Sequence, residues 1–181
     1  VGSEMCIRDS GAFRLAVEHS DFKFGTLVAA RPGYAPVWDA LKKFRGSGHE
    51  LTLVADDHAI EGRILDLEGQ PVANATIKVH ELIAPKKANL DEWLTATKSS
   101  GVAYYELRYA YLRDDLRHFG RNYFAPVTAD ANGHFRMTGV GSERLVTLLV
   151  GGPKIAMSQV HVITRKHESF EINNGKGSPR W

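Results

Sequence analysis

Ala75, Ile77 and Val79 alternate with Thr76, Lys78 and His80, the period of two that turns one face of a strand inward. Ile60 to Leu67 reads as a second strand, with Ile60, Ile64 and Leu67 as its inward positions. Between them, Glu68-Gly69-Gln70-Pro71 is a turn, since glycine supplies a positive φ and proline presets its own. Asp130-Ala131-Asn132-Gly133 is a hairpin signal, Asn-Gly being favoured in tight turns. It leads into Phe135 and Met137 as inward positions, and Leu145–Val150 and Val160–Thr164 supply further strands. Short strands punctuated by turns predict a mainly β fold, an antiparallel β-sandwich.

Residues 84–125 break this rhythm. Asn89 or Asp91 suits the N-cap of a short helix through Trp93 and Leu94. Val102, Tyr105, Tyr109, Leu112, Leu116 and Phe119 then recur at steps of three and four, one face of an amphipathic helix over about 99–119, with Gly120 as its stop. The segment is therefore expected to be a helical insertion docked on the sandwich by this aromatic stripe. Tyr104, Leu107 and Tyr111 form a second row, so two readings stand. Either both rows are buried, or Trp93, Tyr104, Arg108, Tyr111 and Arg113 form an interaction surface, tyrosine and arginine being enriched at binding hot spots.

An internal repeat organises the chain. Gly11-Ala12-Phe13-Arg14-Leu15 matches Gly133-His134-Phe135-Arg136-Met137. Thr26, Pro32 and Ala35 then follow with the same spacing as Thr147, Pro153 and Ala156. The spacing predicts the last strands of one module over 11–56, a whole second module over 57–166 that carries the insertion, and a tail over 167–181.

Composition narrows the function. The 43% hydrophobic and 24% charged content is that of an ordinary globular chain. A net charge of +2 gives no general pull toward nucleic acid, and no apolar run approaches the ~20 residues of a membrane-spanning helix. Val1 to Ser10 resembles translated sequencing-adapter read-through and is set aside from fold reasoning. Cys6, the sole cysteine, goes with it, which leaves no disulfide, thiolate ligand or cysteine nucleophile.

Neither a metal nor a catalytic constellation is announced. Among the eight histidines, His80 is placed outward on a strand and His118 sits near a helix end, where a cation suits the dipole. His161 and His167 belong to no H-E-x-x-H motif or other convergent set. Asp130-Ala131-Asn132-Gly133 begins like a calcium loop but lacks the glutamate at its twelfth position. Asp56-Asp57-His58 reads as a solvated linker. No catalytic, cofactor-binding or metal-binding residue is assigned, and no cofactor is expected.

The run I-E-G-R-I-L-D-L-E-G-Q-P-V-A-N-A-T-I-K-V, Ile60 to Val79, resembles the opening of carboxypeptidase regulatory-like domains, through Gly62, Asp66, Gly69, Pro71 and Ala75. Thr128, Asp130, Gly133 and Phe135 resemble a later family motif, with one extra residue between Thr128 and Asp130. The resemblance covers 11–81 and 126–166 in pieces. It implies a transthyretin-like β-sandwich, non-catalytic, often in tandem, in secreted or cell-envelope bacterial proteins. Expected partners are neighbouring modules of the same chain, and a protein or a carbohydrate if the insertion binds. No nucleic acid and no insertion into a membrane are expected. Two alternatives stand beside the structural module: a carbohydrate- or peptide-binding module that uses the insertion, or the accessory part of an enzyme such as a peptidase.

Overall fold

The computed structural model describes residues 5–7, 11, 13–15, 23, 25–44, 49–56, 58–99, 104–113, 116, 123–152 and 155–165. The predicted tail and the far end of the predicted long helix, with Phe119 and Gly120, lie outside them. The chain is mainly β, its strands pair antiparallel, and a helical insertion interrupts them. It divides into two units, Val1–Ala29 with Val37–Thr52, and Ala30–Pro36 with Leu53–Trp181.

The smaller unit holds two antiparallel pairs. Strand β1 (Met5–Ile7) pairs with β2 (Phe13–Leu15), so part of the segment set aside above is built into a strand. Strand β3 (Thr26–Ala29) pairs with β5 (Val37–Ala40), which runs into a 3-10 turn at Leu41–Lys43.

In the larger unit, β4 (Tyr34–Ala35) pairs with β6 (Val54–Ala55) and β7 (Ile60–Arg63) pairs with β10 (His134–Met137). The main sheet has the order β12 (Ile155–Ile163), β11 (Leu145–Gly152), β8 (Thr76–Ile83), β9 (Val127–Thr128). Its register opposes Leu145 to Ile83 and Ile163, and Val146 to Leu82 and Val162. Strand alternation then sorts the side chains. Leu82, Val79, Ile77, Val146, Leu148 and Val150 share one face and are buried. The opposite face starts with Ile83, Leu145 and Ile163, continues with Glu81, Thr147 and His161, and ends with Lys78, Leu149 and Gln159. A bulge at His80 makes this crossing of the pattern, because Thr147 faces Glu81 while Leu148 faces Val79. The alternation read from Ala75 to Val79 is thus real, and it changes phase one residue later.

Two turns of one kind tie β7, β8 and β10 together. The Asp66 Oδ1 accepts from the N–H of Glu68 at 3.1 Å and of Gln70 at 2.7 Å. The Asp130 Oδ1 likewise accepts from Asn132 at 2.8 Å and His134 at 2.9 Å. Gly69 and Gly133 each close the turn at φ 79°, the conformation glycine adopts without steric cost. The strand expected over Ile60–Leu67 ends at Arg63, and Leu67 is fully exposed at the tip of its turn rather than inward. The N–H donors that hold Asp66 and Asp130 fix a reversal there, and that satisfies the backbone better than an extended run.

Asp56 lies in no free linker. Its carboxylate accepts from the backbone N–H of Gly139 and, at 3.0 Å, of Gly141. It thereby anchors the end of β6 to the loop that precedes β11.

The insertion contains α1 (Asp91–Ser99) and α2 (Tyr104–Tyr111). The single helix expected to reach Phe119 stops at Tyr111, because the chain there joins the sheet. Lys86 N–H donates to Tyr111 O at 2.8 Å, Pro85 bridges Leu112, and Arg113 N–H donates to Ala84 O at 2.9 Å. Leu116 N–H then donates to Leu82 O at 2.9 Å. Leu112 and Leu116 remain buried as the stripe required, but both lie outside the helix, tied to β8 and the residues after it.

Candidate functional site

The insertion is seated by its helix starts. Asn89 Oδ1 accepts from Asp91 N–H at 3.1 Å, the capping role expected of Asn89. Glu143, from the loop before β11, accepts from Leu90 N–H at 2.8 Å. Arg165 bridges Asp91 at 2.6 Å and Glu143 at 3.1 Å, so the first turn of α1 is clamped to both ends of the β11–β12 hairpin. Asp91 and Glu92 also suit the positive end of the helix.

Packing then decides which aromatic row faces in. Leu90, Trp93, Leu107 and Leu112 form one buried cluster with Ile83, Leu145 and Ile163 of the sheet, and Leu94, Ala96, Tyr104 and Tyr111 pack against it. The Tyr104–Leu107–Tyr111 row therefore faces the sheet. Within α2 the row expected to dock faces outward, with Tyr105 and Tyr109 64% and 56% exposed, while Leu112 and Leu116 beyond it stay buried. The two tyrosine rings meet edge-on at 4.5 Å and their hydroxyls lie 2.8 Å apart. Both rows carry tyrosine at helical spacing, so periodicity alone ranks neither. Leu107, fully apolar and buried, is the residue that breaks the tie.

The five residues singled out for an interaction surface are thus spread over different surroundings. Trp93 is 1% exposed, and Tyr104 and Tyr111 are half-buried against the cluster. Arg108 reaches down from α2 to Glu81 Oε1 at 3.1 Å. Arg113 is exposed and donates from Nε to Pro85 O at 3.2 Å.

Arg108 opens a polar chain that sequence reading did not find. Glu81 Oε2 accepts from the Thr147 hydroxyl at 3.2 Å, and Thr147 Oγ1 lies 3.2 Å from His161 Nδ1. A hydroxyl has one proton to give. Donation to Glu81 therefore makes His161 Nδ1 the donor to Thr147. Burial pushes the His161 imidazole below its ordinary value, while the Glu81 charge pulls the other way. Thr147 is itself buried, so this network braces α2 on three strands. The signal for it was Glu81, a charge directly before the apolar pair Leu82-Ile83; only the His80 bulge brings it beside Thr147.

Among the described residues no three His, Cys, Asp or Glu side chains gather as a metal site, and no helix is long and apolar enough to cross a membrane. Comparison of the chain with protein-family models, curated proteins and solved structures finds no match.

Proposed function

We propose that the chain is a non-catalytic structural or interaction part of a larger secreted or cell-envelope protein, built from transthyretin-like sandwich modules in tandem. The observation that carries this reading is the inward turn of Trp93, Tyr104 and Tyr111, which lays these three aromatic side chains on the chain's own sheet. Tandem modules are supported by matching strand pairs. The Phe-Arg steps of the two Gly-x-Phe-Arg segments both lie in antiparallel strands, β2 and β10. The two matched threonines lie in β3 and β11, each paired antiparallel with a later strand. Placement at the cell envelope rests on the resemblance carried by Gly62, Asp66, Gly69, Pro71 and Ala75.

A second reading, a carbohydrate- or peptide-binding module, is favoured by the exposed Tyr105–Tyr109 pair. One set of variants separates the two. On the structural reading Trp93→Ala costs about 3–5 kcal/mol in urea unfolding, whereas a Tyr105→Ala, Tyr109→Ala double variant stays within about 1 kcal/mol and glycan and peptide arrays retain nothing. A ligand captured by the wild type and lost in the tyrosine variant transfers the conclusion to the binding module. A Trp93→Ala loss below about 1 kcal/mol removes the brace itself.

A further inference from the structure

Where the insertion rejoins the main sheet, a row of four residues crosses it. Arg113 N–H donates to Ala84 O at 2.9 Å, and Leu145 opposes Ile83, which sets Arg144 beside Ala84. Thr164 N–H donates to Arg144 O at 3.0 Å. The row is therefore Arg113, Ala84, Arg144, Thr164. Alternation puts all four on the face opposite Ile83, Leu145 and Ile163. Two arginines thus flank one alanine, which is itself buried.

Among the described residues neither arginine makes an ion pair. Arg144 is 9% exposed, and its Nη1 donates only to the carbonyls of Ser142 and Glu143, both at 3.2 Å. Its Nε finds no hydrogen-bond partner among the described residues. The adjacent Glu143 carboxylate is turned away, to Leu90 N–H and Arg165. The Arg113 Nε goes to a carbonyl as well. Burial, and then the neighbouring Arg113 charge, hold Arg144 below the usual arginine value, with the Glu143 charge opposing them. A guanidinium keeps its proton in proteins, so the charge stays where it is. Burying a charge without a hydrogen-bonded counter-charge is costly, and an orphaned buried donor points to a missing ion or water.

We propose that Arg113 and Arg144 form a binding site for a small oxyanion, of the phosphate or sulfate type, held across Ala84. The planar donor fork of arginine fits two oxygens of such an anion. Arg113 is exposed and offers the approach from solvent, while Arg144 supplies a dry charge beneath it.

Thermal unfolding of the full chain tests this in inorganic phosphate, sulfate and acetate, each against sodium chloride at equal ionic strength. Phosphate and sulfate at a hundredfold excess over the dissociation constant are expected to raise the midpoint by about 3 °C or more, with a smaller rise in acetate. Arg113→Gln, at an exposed position, is expected to weaken phosphate at least tenfold. Arg144→Met is expected to abolish the rise and, without the anion, to melt no lower than wild type, since it removes the unpaired charge. No rise in the wild type overturns the site, as does an equal rise in both variants. An Arg144→Met midpoint more than about 3 °C below wild type also overturns it, because the fold itself then satisfies the guanidinium.

Discussion

Consider a single methyl group added to Gly69 and, separately, to Gly133. Both residues close an Asp-x-x-Gly turn at φ 79°, so both alanine variants carry the left-handed penalty of about 1–2 kcal/mol. Around Gly69 a new Cβ meets nothing within 4 Å. At Gly133 it falls 2.4 Å from Ile64 O and 3.4 Å from the Pro71 side chain, the first more than about 1 Å inside a normal separation. That carbonyl is backbone and cannot swing aside. It accepts from Val72 N–H at 3.0 Å, and Ile64 N–H donates to Gly133 O at 2.8 Å. Moving it loosens two hydrogen bonds, each worth about 1 kcal/mol net. Gly69→Ala should therefore cost about 1–2 kcal/mol, and Gly133→Ala about 3–4 kcal/mol. Urea unfolding read by Trp93 fluorescence, in a Trp38→Phe, Trp181→Phe background, measures both from the shift in midpoint at constant slope. Equal losses in the two variants would refute the reasoning, for then the close approach contributes nothing.

Asp56→Ala should lose about 2 kcal/mol by leaving Gly139 and Gly141 N–H without their charged acceptor; a loss under about 0.5 kcal/mol by the same assay would return Asp56 to the status of a linker. His161 predicts a pH dependence. Its folded value lies below the unfolded one because burial disfavours the charged ring. The unfolded chain thus takes up the proton first, and the contribution of His161 is whole above about pH 6.5 and is lost as the pH falls below it. His161→Gln should flatten the stability between pH 7.5 and 5.5; an unchanged slope would place its origin elsewhere.

The parts of this fold legible in the sequence are those whose cause is local. A turn of the form Asp-x-x-Gly needs only its own side chain and its own glycine, and both turns stand where the residues put them. Ala75, Ile77 and Val79 needed only a buried face. What was not legible depends on remote partners. Leu112 and Leu116 lie at a spacing that a helix permits, yet Ala84 and Leu82 offer their carbonyls and draw the segment into the sheet. Tyr105 and Tyr104 differ in surroundings only because Leu107 shares a row with one of them. The Glu81–Thr147–His161 chain depends on a bulge, which no alternation of polar and apolar residues announces. The approach of Arg113 to Arg144 needs segments about thirty residues apart in sequence to flank the same end of β8.

The insertion leaves the sheet at Lys86 and returns at Tyr111, and these two residues are hydrogen-bonded neighbours. Its exit and entry thus share one rung of a ladder, like the two ends of a splice. Closing a longer excursion from that rung adds only about 0.6 kcal/mol for each doubling of its length. The sheet is therefore a receptacle for foreign sequence at this point, indifferent to how many residues are carried between the two ends. It sets one condition, a lid of apolar side chains over Ile83, Leu145 and Ile163, so a graft that supplies such a lid can replace both helices without touching the strands.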